Sequence, residues 1–154
     1  MEHAAALGAI HSFLVALDGS PAAASALAVT CEIAKRSHAR VAALHVIEVP
    51  RSLPLDAELP AELERGEAII SEAEALGRRN DIQLEGRILQ ARNSGVAVVD
   101  EAAALGSDAI VIGLDYHRPY GKFELGPLAQ YVLENAQAQV WLMRYPPHAA
   151  DEAP

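Results

Sequence analysis

Residues 108–128, DAIVIGLDYHRPYGKFELGPL, decide the fold. The continuous apolar run from Ala109 to Ile112 is typical of a strand that is covered on both faces of a parallel sheet. A loop with three glycines follows, and Pro127 then suits the first turn of a helix, where its missing N–H costs nothing. A strand, a glycine loop and a helix start can together present amide hydrogens to an anion. The stretch therefore predicts either an anion-binding loop or an ordinary surface crossover whose charges are solvated.

The rest of the chain repeats this alternation of strands and helices. Apolar runs predict strands at 13–17, 41–46, 82–89, 109–112 and 140–143. Periodic apolar stripes predict helices at about 21–36, 62–79, 96–105 and 127–136. Right-handed crossovers then give a single doubly wound, Rossmann-like α/β domain, with a five-stranded parallel sheet of order 3-2-1-4-5 and helices on both faces. Ligands of such sheets bind where the winding reverses, which is between strands 1 and 4.

Composition sets the boundaries and the setting of the domain. We divide the chain into an N-terminal lead-in (1–12), the α/β domain (13–145) and a disordered tail (146–154). The lead-in lacks the charged start and long apolar core of a signal peptide. Cys31 is the lone cysteine, so no intramolecular disulfide can form, and a cytoplasmic setting is favoured. No apolar run approaches the roughly 20 residues of a membrane span, so we expect no direct membrane insertion.

Charge and motif spacing exclude several chemistries. The formal net charge of −9 argues against nucleic acid as a partner, although a local cationic pocket is still compatible with it. The six histidines show no metal-ligand spacing, so we expect no metal site. The Gly121–Lys122 pair lacks the upstream glycine and the following Ser or Thr of a P-loop. No G-x-S-x-G elbow is present, and we expect no catalytic residues.

The turn Asp18-Gly19-Ser20 follows the first strand and would lie opposite the loop 113–127. Two interpretations of Asp18 are open at this stage. It would bind a pair of sugar hydroxyls while the glycine loop binds phosphate, or it would only support the cap of the next helix, where Ser20 is a suitable N-cap.

Three stretches resemble the universal stress protein family: FLVALDGSP at 13–21, VAALHVIE at 41–48, and VIGLDYHRPYGKFELGPLAQYVLENAQAQVWLMR at 111–144. The family's nucleotide motif is glycine, two residues, glycine, nine residues, then glycine and Ser or Thr. Gly113 and Gly126 match this motif in register, whereas Tyr116 replaces the second glycine and Pro127 replaces the Ser or Thr.

The resemblance implies an adenine nucleotide (ATP, ADP or AMP) as the cofactor. It places the ribose at Asp18 and the adenine at Ala16 and Val46. The residues at the phosphate end would be Gly113, Tyr116, Arg118, Gly126 and Pro127. Because Pro127 offers neither a hydroxyl nor an amide hydrogen, a phosphate there would lose up to two bonds of roughly 1.5–3 kcal/mol each.

The same resemblance implies a small regulatory stress-response module that is not an enzyme, with slow ATP hydrolysis not excluded. It also implies a homodimer through the edge strand Val140–Met143, because an apolar edge with Trp141 needs a cover. The alternative is a dimeric interaction module that binds no nucleotide. The ARNSG turn at 91–95 and the YGKFELG loop at 120–126 are similar to stress-protein domains found with amino-acid permeases, which implies a membrane transporter as partner.

Overall fold

The computed structural model describes residues 10–147, and strands and helices alternate throughout this range. The strands are β1 (Ser12–Ala16), β2 (Arg40–Glu48), β3 (Glu85–Ala91), β4 (Ala109–Leu114) and β5 (Gln139–Arg144). The helices are α1 (Pro21–Ser37), α2 (Pro60–Arg79), α3 (Ser94–Leu105) and α4 (Pro127–Asn135). All strand pairs are parallel and the order is β3-β2-β1-β4-β5, which confirms the predicted doubly wound fold.

The central strand β1 separates two hydrophobic cores. Phe13 and Val15 pack into one core with α1 and α2, whereas Leu14 and Ala16 pack into the other with α3 and α4. Successive side chains of a strand point to opposite faces, so a strand covered on both sides is apolar at most positions. All five residues of β1 are buried, and the one polar residue, Ser12, donates its hydroxyl to the carbonyl of Gly106 at 3.2 Å. This is why the first strand and the focal strand β4 are continuous apolar runs in the sequence.

Most boundaries differ from the sequence prediction by one to three residues, and the ends of α2 explain two of these differences. β3 begins at Glu85 rather than Ile82, because the amide of Ile82 donates to the carbonyl of Gly77 at 2.8 Å and closes the end of α2. Asp81, with φ of +57°, makes that closing turn. At the other end of α2, Pro60 is the first helical residue rather than the last loop residue. Apolar periodicity does not detect either event, since both depend on backbone hydrogen bonds at a helix end.

The predicted lead-in up to residue 9 and the predicted tail from residue 148 lie outside the described residues.

At the amino edge of the sheet, Asp108 joins the start of β1 to the start of β4. Its carboxylate accepts from the amides of His11 at 2.8 Å and Ser12 at 3.2 Å. Within residues 10–147, none of the helices has the length and apolar character needed to cross a bilayer.

Candidate functional site

A cleft of about 230 Å³ opens at the carboxyl edge of the sheet, at the point where the winding reverses between β1 and β4. Each of the four helices contributes at least one residue near its start to the wall. Its apolar lining includes the buried side chains of Leu44, Val98 and Ile112. Its polar lining residues are Asp18, His45, Glu48, Arg65 and Ser94. An apolar cavity with a few convergent polar groups is the usual form of a small-molecule site.

The turn after β1 is held by its own hydrogen bonds. The Asp18 carboxylate accepts from the amide of Ser20 at 2.9 Å through Oδ1, and the Ser20 hydroxyl accepts from the amide of Ala23 at 3.2 Å as the N-cap of α1. Gly19 has φ of +87°, a left-handed conformation that glycine adopts without strain. The other carboxylate oxygen, Oδ2 of Asp18, bonds to no residue in the described range, so Asp18 can support the cap and still accept from a ligand.

The end of β2 is joined to β1 by a buried histidine. His45 Nδ1 lies 2.7 Å from the carbonyl oxygen of Leu17. A carbonyl oxygen only accepts, so Nδ1 is the protonated ring nitrogen and donates this bond. Helix α2 packs closely over the ring, since a Cβ on Gly66 would lie 2.9 Å from His45 Cδ2. Gly66 therefore lets α2 approach the sheet and brings its neighbour Arg65 to the cleft.

Glu48, the last residue of β2, joins the sheet to α3. Its carboxylate oxygen Oε2 accepts from both the amide and the hydroxyl of Ser94, each at 2.9 Å. Asn93 caps the same helix start by accepting from the amide of Val96 at 3.1 Å. A carboxylate is favourable at this position because the N-terminal end of a helix carries partial positive charge.

Gly113 lines the cleft at the end of β4, but its lack of a side chain also serves packing. A Cβ at this position would collide with the carbonyl of Ala22 and would lie 2.9 Å from the amide nitrogen of Ala23. The backbone of α1 therefore rests directly on β4 at Gly113. The family resemblance places Gly113 at the phosphate end only, and its role in helix–strand packing is visible only in the structure.

The loop between β4 and α4 folds on itself and on the end of β5. The ring of Tyr116 stacks on Phe123 with centroids 5.8 Å apart, and Arg144 Cζ lies 4.6 Å from the Tyr116 centroid. Arg118 Nη2 donates to the carbonyl of Gly121 within the loop at 2.6 Å. These side chains are thus engaged with one another rather than with the cleft.

Helix α4 begins differently from α1 and α3. Gly126, with φ of +84°, is its N-cap, no side chain caps it, and Pro127 is the first helical residue. The first amides of a helix have no partner inside the helix, so those that follow Pro127 are available to an acceptor. Leu128 is the residue that α4 contributes to the cleft lining.

The eight predicted site residues fall into two groups. The structure brings four of them together in the cleft lining, namely Ala16, Asp18, Val46 and Gly113. The remaining four lie in the β4–α4 loop or at the start of α4 and do not line the cleft, namely Tyr116, Arg118, Gly126 and Pro127.

Sequence reasoning missed several polar lining residues. Glu48 and Ser94 come from elements that are far apart in sequence, and Arg65 sits among the glutamates of an exposed helix face. One feature of the sequence pointed towards Arg65. Its neighbour Gly66 is a glycine inside a helix, and such a glycine usually indicates close packing of the helix at that point.

Two other features of the described residues do not form a competing site. A cavity of about 350 Å³ lies between α1 and α2, but none of the eight predicted site residues lines it. Burial raises the pKa of the Cys31 thiol to about 11, so the thiol stays protonated and unreactive at neutral pH. Within residues 10–147, no three His, Cys, Asp or Glu side chains are grouped to hold a metal ion.

A family model described as the universal stress protein family matches residues 9–144. A search of curated protein sequences found no match. One similar solved structure is a universal stress protein from Archaeoglobus fulgidus, with a TM-score of 0.73 and 23% identity over 85% of this chain and 96% of that chain.

Two further similar structures were solved with ligands. A universal stress protein from Archaeoglobus fulgidus in complex with dAMP has a TM-score of 0.68 and 20% identity over 85% of this chain and 95% of that chain. A universal stress protein family protein from Arabidopsis thaliana with AMP bound has a TM-score of 0.63 and 18% identity over 93% of this chain and 95% of that chain. At these identities the structural likeness establishes the fold.

Proposed function

The chain belongs to the universal stress protein family, and on that premise we propose that its cleft binds an adenine nucleotide within a small regulatory stress-response module. The observation that carries this proposal is the convergence of Ala16, Asp18, Val46 and Gly113 on one cleft at the carboxyl edge of the sheet. The dAMP and AMP complexes of two proteins with the same fold support it. The function is binding, and we assign no catalytic role to the cleft.

The cleft suits the nucleoside part of the ligand. Its volume of about 230 Å³ is below the roughly 300–1,000 Å³ of pockets that enclose a whole drug-sized ligand. The adenine ring would lie on the apolar lining between the ends of β1 and β2, near Ala16 and Val46. The ribose hydroxyls would donate to Asp18 Oδ2, which bonds to no residue in the described part of the chain. The phosphates would extend towards the β4–α4 loop.

The residues at the phosphate end should give AMP, ADP and ATP similar affinities. Tyr116 is stacked on Phe123, and Arg118 donates to its own loop, so neither is directed at a ligand. Pro127 supplies no amide hydrogen at the helix start. A triphosphate therefore gains few additional charge-assisted bonds over a monophosphate.

The experiment is calorimetric titration with adenosine, AMP, ADP and ATP. We expect all four to bind, with AMP and ATP within about tenfold of each other, since one additional charge-assisted bond would already exceed that ratio. Asp18→Ala should weaken every ligand because all share the ribose. Asp56→Ala, an exposed aspartate outside the cleft lining, is the matched control. Absence of binding at millimolar concentration for all four ligands would contradict the proposal.

A second candidate is a dimeric interaction module, and the edge strand β5 is the observation that favours it. Trp141 of β5 packs edge-on against Phe13 with ring centroids 5.1 Å apart, and positions 140–143 are only half-buried. We propose that two copies associate through Val140–Met143, which would cover this edge. Light scattering at micromolar concentration should give a dimer mass. A monomer mass at every concentration tested would count against this candidate.

A further inference from the structure

The guanidinium of Arg65 lies against the turn that carries Asp18. Its Nη2 donates to the main-chain carbonyl of Asp18 at 3.0 Å and so joins α2 to the end of β1. Arg65 also lines the cleft. Among the described residues that do so, it is the one with a permanent positive charge.

Two glycines from different elements make room for this contact. Gly19 has φ of +87°, and a Cβ there would lie 2.7 Å from Arg65 Nη2. Gly66, the next residue after Arg65, brings α2 against the ring of His45, where a Cβ would lie 2.9 Å from Cδ2. A side chain at position 19 would displace the guanidinium from the turn, whereas one at position 66 would push α2, which carries Arg65, away from His45.

The contact fixes Asp18 without neutralising it. Oδ1 of Asp18 accepts from the amide of Ser20 at 2.9 Å, while the carbonyl of the same residue accepts from Arg65. No carboxylate oxygen of Asp18 lies within 4 Å of a guanidinium nitrogen of Arg65, so the two side chains form no ion pair. Asp18 is thus held from its main chain and from one carboxylate oxygen, and Oδ2 keeps its full capacity to accept.

We propose that Arg65 is a positioning residue for ribose recognition, which holds the Asp18 turn so that the carboxylate meets the ribose hydroxyls. This inference rests on the proposed nucleotide function. It gives a role in the site to a residue of α2, a helix in which the sequence predicted no site residue. A planar guanidinium suits the role, because one N–H can fix the carbonyl in a defined direction.

The test uses two neutral ligands, adenosine and 2′,3′-dideoxyadenosine, so that the charge of Arg65 has no phosphate to act on. In the wild-type protein, adenosine should bind about tenfold more tightly, because its hydroxyls donate to a carboxylate. In Arg65→Gln, we expect that ratio to fall to about twofold or less while the dideoxyadenosine affinity is unchanged. Arg65→Lys, which retains a cationic donor, should restore part of the ratio. Arg78→Gln, an exposed arginine of the same helix, is the matched control and should change neither affinity.

A double-mutant cycle identifies the route of the effect. If Arg65 acts through Asp18, adding Arg65→Gln to Asp18→Asn should change the adenosine ratio no further. An unchanged ratio in Arg65→Gln would overturn the inference, and so would an equal loss for both ligands. A wild-type protein that binds both ligands equally would overturn the inference and leave the proposed function intact. A wild-type protein that binds neither ligand would overturn the inference, and it would end the proposed function only if AMP, ADP and ATP also failed to bind at millimolar concentration.

Discussion

The β1–α1 turn and the β4–α4 loop face each other across the switch point, yet they are held in different ways. Besides its own hydrogen bonds, the turn is held by two other elements, since Arg65 of α2 bonds to Asp18 and His45 of β2 bonds to Leu17. The loop is held mainly by contacts among its own side chains, such as Tyr116 on Phe123, and by Arg144 at the end of β5. The difference indicates that the side of the cleft proposed to bind the ribose is preformed, whereas the side proposed to face the phosphates is engaged in contacts of its own.

The two helix starts show the same contrast. Ser20 caps α1 by accepting from the amide of Ala23 at 3.2 Å. Helix α4 begins at Gly126 and Pro127 with no side-chain cap. An acceptor is therefore already provided at the first helix start, whereas a ligand or water must supply it at the second.

The largest expected effect tests the packing at the point where turn and loop meet. Gly113→Ala should lower the free energy of unfolding by about 3 kcal/mol, because the added Cβ collides with the α1 backbone. Gly121→Ala, in the loop, should cost only about 1 kcal/mol, from its left-handed conformation alone, since nothing lies within 4 Å of the new Cβ. Urea denaturation of both variants measures the difference. Equal destabilisation would show that the loop is as tightly constrained as the strand end.

The next effect tests whether Tyr116 and Pro127, which replace the family's motif residues, weaken the binding of ATP. Tyr116→Gly combined with Pro127→Ser should increase ATP affinity by about 1–3 kcal/mol, because a backbone approach, an amide hydrogen and a hydroxyl become available. Adenosine affinity should not change, since the preformed side is untouched. Calorimetry with both ligands gives the comparison. If the wild-type protein already prefers ATP over AMP by more than about tenfold, our explanation of these two residues is wrong.

A smaller effect concerns the cap of α1. Ser20→Ala should lower the free energy of unfolding by about 1 kcal/mol, because the amide of Ala23 loses its acceptor. Ser25→Ala, at an exposed position of the same helix, serves as the control and should stay within about 0.5 kcal/mol of wild type. Thermal denaturation with a two-state fit measures both. A loss no larger than that of the control would show that the turn does not depend on its cap.

The smallest effect concerns the aromatic stack of the loop. Tyr116→Ala removes the ring that stacks on Phe123 and lies 4.6 Å from Arg144, and it should cost about 0.5–1 kcal/mol. Because the loop is held by its own contacts, amide exchange should increase within 115–126 and not in the β1–α1 turn. Tyr116→Phe keeps the ring and should leave the exchange unchanged. Faster exchange at the turn would contradict the separation of the two regions.

The sequence by itself determined the fold. Continuous apolar runs such as Ala109–Ile112 identify strands covered on both faces, and their alternation with amphipathic stripes leaves a doubly wound sheet with its cleft between β1 and β4. It also identified Asp18 as a lining residue, because the residues after a strand lie at the edge where ligands bind. These inferences succeed because they depend on the apolar character of consecutive residues and on chain direction, and both can be read directly from the sequence.

Only the tertiary structure decided which polar groups share the cleft. Arg65 and Asp18 are separated by 47 residues and meet only because Gly19 and Gly66 allow α2 to approach closely. Likewise, Gly113 matches a phosphate motif in the sequence but is also the contact between β4 and α1. A hydrogen bond or a steric contact between distant elements depends on distances of a few tenths of an ångström, and no periodicity of the chain records them.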